Sequence, residues 1–493
     1  MKTNRRTGVL LWTLIATTAA VVSVPAEAAE TSDVAATQST YMDWDSFLMK
    51  NGLIELQIVP DLGGRVMQYR LGGFPFLWVN ESLAGDLPPP TGLDAEGGWI
   101  NWGGDKLWPA PQGWGEGDQW PGPPGPRIEG FPHQGTLQQP NGHRATVRLL
   151  SPRDPQTGIR FKRIIQIFEN STRVKFVSTM TNIDKKPHRW GIWQVTQLDC
   201  GARGGDGDWN ENVWAYCPIN PESRYEKGYN VLYGDPDNPA WQPDSGKGER
   251  YSSTAYLRSL YERYLPMMRV HYVRQVGKIG LDSYAGWLAV VFKDSGNVFV
   301  ERFQGYPDQE YPDGAPVEFW INAPGKITTN EEVEIPNSLE ATPPYMEAEI
   351  LSPFAALDPG QKYTFENNWY ACNIGGDYPI LSSNDLGVVV WPLDAAHIST
   401  HEMGSWAGLS GRFGVFHEGT VEIRFLDKDE KVLKKITAET PASPLRPLVL
   451  QYERDVHLAR DMLGSVQVAL HIIDPAGRDL GELARAGIKR AIE

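Results

Sequence analysis

Cysteine is scarce in this chain, which has only three cysteines among 493 residues. So few cannot build a disulfide-framed fold, and their spacing matches no zinc-binding pattern. Cys200 and Cys217 flank one glycine-rich segment and could form a disulfide, which would leave Cys372 free. We expect no catalytic thiol among them.

The chain also lacks an excess of positive charge. Its formal net charge is −15 at pH 7 and its isoelectric point is near 5.2, whereas a nucleic-acid partner would require a basic face. The Gly-x-Ser-x-Gly hydrolase motif, the phosphate-binding loop and the dinucleotide fingerprint are all missing. His397 and His401 are four residues apart but lie in no apolar helical pattern. We therefore predict no nucleic-acid partner, no cofactor and no metal site.

Only one apolar run is long enough to concern a membrane, and it lies near the N-terminus. Basic residues precede the run from Gly8 to Val24, and the small-residue sequence Ala26-Glu27-Ala28 follows it. This order is typical of a secretory signal peptide, with an uncleaved anchor as the alternative. We predict a signal peptide over residues 1–28, a secreted or periplasmic protein, and no further membrane segment.

Long helical patterns are also missing, while the 50 glycines and 38 prolines favour turns between short strands. Beyond a linker at 29–44, alternating apolar residues predict consecutive antiparallel strands. The predicted strands are 53–59, 65–69, 144–150, 159–168, 173–181, 189–196, 287–292, 297–303, 316–323, 345–351 and 362–370, with hairpins at 419–436 and 465–483. Residues 200–253 show almost no pattern and predict a long loop, and 257–264 predicts a short helical turn. We predict an all-β protein with a large domain at 45–375 and a small C-terminal β domain at 386–493.

The most unusual stretch is Gly97–Trp120, which reads GGWINWGGDKLWPAPQGWGEGDQW. Its five tryptophans have neither helical nor strand periodicity and stand among glycines and prolines, which predicts a long loop. The rings would either pack inside or form a flat wall on which a sugar ring stacks. Asp105 and Lys106 would bind polar sugar groups, or would anchor the loop through a salt bridge. The candidate wall residues are Trp102, Trp108 and Trp114.

Several segments resemble the galactose mutarotase-like superfamily. They are the opening hairpin NGLIELQIVPDLGGRVMQYRLGG (51–73) and YMEAEILSP (345–353), which is followed by LDPG (357–360). GGDKLWPAPQ (103–112) resembles a branch of secreted bacterial proteins within that superfamily. The resemblance covers roughly residues 45 to 370. It implies a galactose mutarotase-like β-supersandwich, the sugar-binding fold of aldose 1-epimerases that recurs in polysaccharide lyases and glycosidases, here with a small C-terminal β-sandwich domain.

The resemblance also suggests catalytic positions. Aldose 1-epimerases use a histidine as acid and a glutamate as base, and PHRWGIWQVTQLD (187–199) stands where the histidine motif is expected. Its histidine falls slightly early in that motif. The substrate-site candidates within this segment are Trp193, Gln194 and Gln197.

Glu301 matches the superfamily's glutamate best by its order in the chain. On its predicted strand it shares a face with Phe299 and Phe303, and an apolar setting would raise the pKa of its carboxyl group, as a general base requires. The alternative is a carboxylate at the rim that pairs with a neighbouring arginine.

Three further residues could move a proton. His133 lies just past the tryptophan stretch, and His271 with Tyr272 could act as the base of a lyase. Arg65 and Arg302 could bind a sugar carboxylate or a pair of hydroxyl groups. Arg65 could instead tie the first hairpin to the tryptophan stretch.

These features predict an exported protein that acts on carbohydrate. The main prediction is an enzyme that cleaves a polysaccharide or oligosaccharide in a tryptophan-lined groove, as a polysaccharide lyase or a glycosidase. The alternatives are an aldose 1-epimerase-like enzyme and a non-catalytic glycan-binding protein. The signal peptide and the displaced histidine both favour extracellular glycan breakdown or capture over mutarotation.

Overall fold

A computed structural model describes residues 34–95, 98–113, 120–121, 126–138, 140–203, 208–244, 263–328, 332–401, 404–454 and 464–489. The predicted signal peptide, Trp114 and most of the predicted helical turn at 257–264 lie outside these residues. Within them, no helix is long and apolar enough to cross a membrane.

Short strands account for most of the described chain. The first are β1 (Ala35–Tyr41), β2 (Trp44–Lys50), β3 (Ile54–Val59), β4 (Arg65–Leu71), β5 (Phe74–Pro75), β6 (Asp105–Ala110), β7 (Gln112–Gly113), β8 (Trp120–Pro121), β9 (Gln134–Gln138), β10 (Arg144–Leu150), β11 (Ile159–Phe168) and β12 (Val174–Asn182). The next are β13 (His188–Asp199), β14 (Val213–Pro218), β15 (Asn230–Gly234), β16 (Trp241–Asp244), β17 (Met267–His271), β18 (Gly277–Leu281), β19 (Trp287–Phe292), β20 (Asn297–Phe303), β21 (Val317–Asn322), β22 (Gly325–Thr328), β23 (Glu332–Ile335), β24 (Tyr345–Leu351), β25 (Ala355–Leu357) and β26 (Lys362–Asn373).

The last strands are β27 (Ser382–Asn384), β28 (Gly387–His401), β29 (Gly404–Val415), β30 (Thr420–Leu426), β31 (Val432–Thr437), β32 (Leu448–Arg454), β33 (Gln467–Ile473) and β34 (Asp479–Lys489). Helix is limited in the described residues to one turn, α1 (Pro126–Glu129), and two 3-10 turns at Glu81–Leu83 and Pro312–Gly314.

Two large sheets form the main body. The first has 12 strands in the order β1-β2-β3-β4-β6-β13-β24-β21-β18-β15, with β5 on β4 and β25 on β13. The second has 10 strands in the order β16-β17-β14-β19-β20-β26-β12-β11-β10-β9. Adjacent strands run antiparallel throughout both sheets as described. The predicted all-β fold is confirmed.

Aromatic rings from both sheets meet in the core between them. Tyr69 on β4 lies 6.3 Å from Phe299 on β20 and 5.8 Å from Trp369 on β26, measured between ring centroids. Phe299 and Trp369 are 5.3 Å apart, and all three side chains are fully buried. Because large aromatic side chains remove the most apolar surface from water, this contact holds the two sheets together.

The C-terminal residues form a third sheet of eight strands in the order β31-β30-β33-β34-β28-β29-β32, with β27 on β28. It has an apolar core of its own. Val298 and Val300 on the outer face of β20 share a second apolar cluster with Val388 and Val390 of β28. This cluster joins the third sheet to the second.

Two predicted loops contain strands. Asp105–Ala110, at the centre of the tryptophan stretch, is strand β6 and lies between β4 and β13. Its strand partners are distant in sequence, so the local pattern did not reveal them. The prediction that 200–253 is a long loop is also wrong, because β14, β15 and β16 each add to a sheet there.

We predict that Phe299→Ala lowers the free energy of unfolding by about 3–5 kcal/mol, because it opens a cavity among the buried rings. Urea unfolding followed by tryptophan fluorescence measures the change. Val333→Ala, at a side chain that is 44% exposed, is the matched control and should change little. Equal small effects of the two substitutions would contradict this view of the core.

Candidate functional site

The two faces of the first sheet carry different chemistry. Asp105 on β6 and Thr196 on β13 are paired and point toward the second sheet, where Asp105 meets Arg163 of β11. Alternate residues on these strands therefore point the other way. Strand pairing places a row of polar side chains on that opposite face, which we call the charged face. Its members are Lys106, Trp193, Gln197, Lys278, Glu318, Glu347 and Glu349.

A single lysine bridges two carboxylates on the charged face. Lys278 Nζ lies 2.7 Å from Glu318 Oε2 and 2.9 Å from Glu349 Oε2. Both glutamates are fully buried, and Lys278 is 7% exposed. Trp193 donates its indole N–H to Glu349 at 2.8 Å, and Lys278 Nζ stands 4.4 Å from the centroid of that indole. The single positive charge of Lys278 therefore interacts with both buried carboxyl groups.

Burial disfavours the ionised form of both carboxyl groups. It raises the pKa of Glu318 well above its ordinary value, and the neighbouring carboxylates add to the rise while Lys278 opposes it. Burial also raises the pKa of Glu349. For Lys278, burial acts to lower the pKa, but the two carboxylates outweigh it and the pKa is raised. The lysine thus stays charged, and the carboxyl pair tends to keep a proton.

Asp313 connects this cluster to the surface. The residue is exposed, and its charge contributes to the raised pKa of the buried Glu318. It stands in a tight turn, where its backbone φ of 54° lies in the left-handed region. Since non-glycine residues seldom adopt this conformation, the turn holds Asp313 in an unusual position beside the buried acids.

A second ion pair lies further along the same face. Lys106 Nζ is 3.0 Å from Glu347 Oε1, which also accepts a 2.8 Å hydrogen bond from the side-chain amide of Gln197. The Lys106 ammonium lies 4.7 Å from the ring centroid of Trp99 and 4.4 Å from that of Trp108. The side chain of Glu347 is 12% exposed, which makes it the most open carboxylate of the charged face.

Glu129 fixes the tryptophans around Lys106. Its carboxylate pairs with the Arg65 guanidinium and accepts the indole N–H groups of Trp99, at 3.0 Å, and of Trp108. Arg65 also donates to the carbonyl of Gly103 at 2.9 Å. Arg65 therefore ties the first hairpin to the tryptophan stretch, through Glu129 and Gly103. Sequence reasoning missed Glu129, Glu318, Glu347, Glu349 and Lys278.

Asp105 and Gln194 lie on the other side of the sheet, in the core. Asp105 is 0% exposed, pairs with Arg163 at 2.5 Å, and accepts hydrogen bonds from Gln194 at 2.9 Å and from Thr196 at 3.1 Å. Burial raises the pKa of Asp105, and Arg163 opposes that rise. Asp105 and Lys106 are adjacent in sequence, so their side chains lie on opposite faces of the first sheet.

Glu301 also lies in the core between the sheets. It is 0% exposed and accepts hydrogen bonds from Asn367 at 3.1 Å and from the Trp369 indole at 3.0 Å. Burial raises its pKa well above the ordinary value, and the nearby Asp105 adds to the rise. Glu301 is thus buried as expected, but on β20 of the second sheet and not on the charged face of the first.

The other proton-transfer candidates are scattered. His133 lines a cleft of about 310 Å³ near Asp61, and burial lowers its pKa from 6.5 to about 3. His271 stacks on Trp214 with ring centroids 4.2 Å apart, in the second sheet. The hydroxyl of Tyr272 is buried and donates to the Asn322 carbonyl at 3.1 Å.

Two more predicted binding residues have structural partners. Trp102 is buried edge-on against Trp44, with centroids 6.3 Å apart. Arg302 binds Asp385 at 2.8 Å and the Ser383 carbonyl at 2.7 Å, so it lies where the second and third sheets meet.

No cluster suited to a metal ion occurs among the described residues. The three cysteines are buried free thiols, so the disulfide that the sequence allowed is not formed.

Known proteins offer limited comparison. No protein-family model matches the chain, and no curated protein matches it. A galactose mutarotase-like protein from Clostridium acetobutylicum is 12% identical, with a TM-score of 0.42, over 69% of this chain and 99% of that chain. A galactose mutarotase related enzyme from Lactobacillus acidophilus is 9% identical, with a TM-score of 0.39, over 66% of this chain and 96% of that chain.

A TPR-domain containing protein from Parabacteroides distasonis is also similar, at 13% identity and a TM-score of 0.42 over 70% of this chain. The match spans about half of that protein, or 49% of its length. The proteins from Clostridium acetobutylicum and Lactobacillus acidophilus are named after galactose mutarotase, as is the superfamily that the sequence resembles. With TM-scores this low the likeness says nothing about activity, and the fold stands on the sheets described above.

We predict that the buried Asp105–Arg163 pair behaves as a structural unit. Arg163→Met leaves a buried carboxylate without its counter-charge and should cost about 3–5 kcal/mol of unfolding free energy. Asp105→Asn in the same chain should recover part of that loss. A double-mutant cycle by urea unfolding measures the coupling, and strictly additive losses would contradict it.

We also predict that the contribution of Glu318 to stability declines as the pH rises above 4.5, the ordinary pKa of a glutamate. Because the pKa of Glu318 is raised in the folded protein, the folded state binds more protons than the unfolded chain above that pH. The stabilising contribution of Glu318 is complete below pH 4.5, and it is lost as the pH rises through the raised pKa of the folded state. Glu318→Gln removes this ionisation and should reduce the decline by up to about 1.4 kcal/mol per pH unit.

Urea unfolding between pH 4.5 and 8 measures the two slopes. Glu366→Gln is the matched control, since Glu366 is an exposed carboxylate on β26 that pairs with Lys175. Identical slopes for Glu318→Gln and the unsubstituted protein would show that Glu318 ionises normally.

Proposed function

We propose that the charged face binds a saccharide and that Glu318 and Glu349, bridged by Lys278, move protons on it, as a sugar epimerase requires. The observation that supports this proposal most strongly is the single buried ammonium shared by two buried carboxylates. Titratable pairs whose environment shifts their pKa values are typical of catalytic acids and bases.

The proposed reaction depends on a proton held by one of the two carboxyl groups. Interconversion of two anomers removes a proton from the anomeric hydroxyl group and delivers one to the ring oxygen, so no proton is consumed overall. One carboxylate acts as the base while a carboxylic acid acts as the donor. Because burial raises the pKa of both carboxyl groups, a proton held by one of them would provide the acid while the other, ionised, provides the base.

The neighbouring residues suit the recognition of sugar hydroxyl groups. Glu347 accepts hydrogen bonds while Lys106 and Gln197 donate them, and the three are already held together by contacts of 2.8 and 3.0 Å. Trp320 is paired with Lys278 on the adjacent strand and is only partly buried, which leaves ring surface for stacking.

This proposal follows the epimerase alternative from the sequence. Glycan cleavage by a lyase or glycosidase stays a prediction, and so does binding without catalysis. The proposal keeps the export predicted from residues 1–28, so the protein would meet its sugar outside the cytoplasm.

The test is anomer exchange measured by NMR on the mature protein with glucose, galactose, mannose and xylose. We expect faster exchange for at least one sugar and a loss of about 100-fold or more in Glu349→Gln. Glu366→Gln is the matched control and should retain the full rate. A polysaccharide panel, followed by reducing ends and by ultraviolet absorbance, runs in parallel.

Two results would contradict the proposal. Unaccelerated anomer exchange together with new reducing ends would indicate glycan cleavage. Acceleration that survives Glu349→Gln and Glu318→Gln would place the chemistry elsewhere.

A further inference from the structure

A cleft of about 470 Å³ lies beside the charged face. Its lining includes Asp199 of β13 and Trp78, which precedes the tryptophan stretch in the chain. Its volume falls in the range of small-molecule sites, which is roughly 300–1,000 Å³. Neither the sequence resemblance nor the proposed function uses it.

The cleft continues the charged face. Asp199 is two residues beyond Gln197 on β13, and Tyr345, its partner on β24, is two residues before Glu347. Residues two apart on a strand share a face and stand roughly 7 Å from each other. Trp78, which lines the cleft, stacks on Tyr345 with ring centroids 4.9 Å apart. The cleft therefore begins at the Asp199–Tyr345 pair, two residues along each strand from the Gln197–Glu347 contact.

The groups that line the cleft suit a neutral polyol. Trp78 is partly buried and offers the ring surface that Tyr345 leaves uncovered. Arg70 has no carboxylate at ion-pair distance in the described part of the chain and lies 5.8 Å from the ring centroid of Tyr41. Glu81 also lines the cleft and is exposed.

The charges in the cleft nearly cancel. Asp199 is paired with Arg203 at 3.0 Å, and Arg70 and Glu81 have opposite signs. A strongly anionic ligand would meet two carboxylates there, so the lining favours an uncharged ligand with both donor and acceptor groups. An aromatic surface beside such groups is the usual chemistry of sugar recognition.

We infer that this cleft is a second saccharide-binding subsite, and that the substrate is therefore a neutral oligosaccharide whose next sugar residue stacks on Trp78. The inference rests on the proposed function, because the first sugar residue lies on the charged face. It adds the class of substrate, which a site for free monosaccharides would not require.

The test compares ligand lengths by isothermal titration calorimetry. The probes are glucose, galactose, mannose and xylose, each as the monosaccharide and as the β-1,4-linked tetrasaccharide. For the sugar that binds, we expect the tetrasaccharide to bind at least about tenfold more tightly than the monosaccharide. Trp78→Ala should remove most of this difference and leave monosaccharide affinity within about twofold.

Three further variants make the result decisive. Arg70→Ala should weaken tetrasaccharide binding alone, which confirms the cleft without disturbing the Trp78–Tyr345 stack. Trp214→Ala is the matched control, because Trp214 is a partly buried tryptophan in the second sheet, and should change neither affinity. Glu347→Gln should weaken both ligand lengths.

The two possible failures differ. Equal affinity for both lengths, or an equal effect of Trp78→Ala on both, would overturn the second subsite while leaving the charged face intact. Unchanged affinities in Glu347→Gln would overturn the proposed function itself.

Discussion

The ammonium group of Lys278 bridges two buried carboxyl groups inside the protein. Glu318 and Glu349 come from adjacent strands of the first sheet, so their placement depends on the register of β18, β21 and β24. Without the lysine, any negative charge on this buried pair would have no counter-charge, which is costly inside a protein. The cluster therefore constrains the sheet, and the sheet in turn fixes the geometry of the cluster.

Much of the fold could be predicted from the sequence, because a strand with one buried face shows alternating apolar and polar residues. Ile159–Phe168 shows this alternation and is predicted at its observed bounds. Trp287–Phe292 is also predicted at its observed bounds, as a short continuous apolar run that is buried on both faces. Strand β6 was not, because its residues, Asp105–Ala110, contain two charges and a proline, and only its neighbours β4 and β13 make it a strand. The same holds for β14, which lies between β17 and β19, and for β15 and β16, which are edge strands.

The site was harder to predict than the fold. Arg65, Lys106 and Gln197 were chosen from the sequence and do take part in the polar network around the tryptophans or on the charged face. Glu347 and Glu349 alternate with apolar residues in an ordinary strand pattern, and nothing local separates such glutamates from solvent-facing ones. Their importance arises from which residues lie opposite on β13 and β21, and pairing across a sheet is not written in the local sequence.

The measurement that tests this account most directly is a carbon-13 NMR titration of the glutamate side chains, assigned with Glu318→Gln and Glu349→Gln. The account predicts that one carboxyl group of the Glu318–Glu349 pair is still protonated at pH 7, and that its resonance shifts when the sugar binds. Ionisation of both carboxyl groups near pH 4.5, with no response to any sugar, would contradict it.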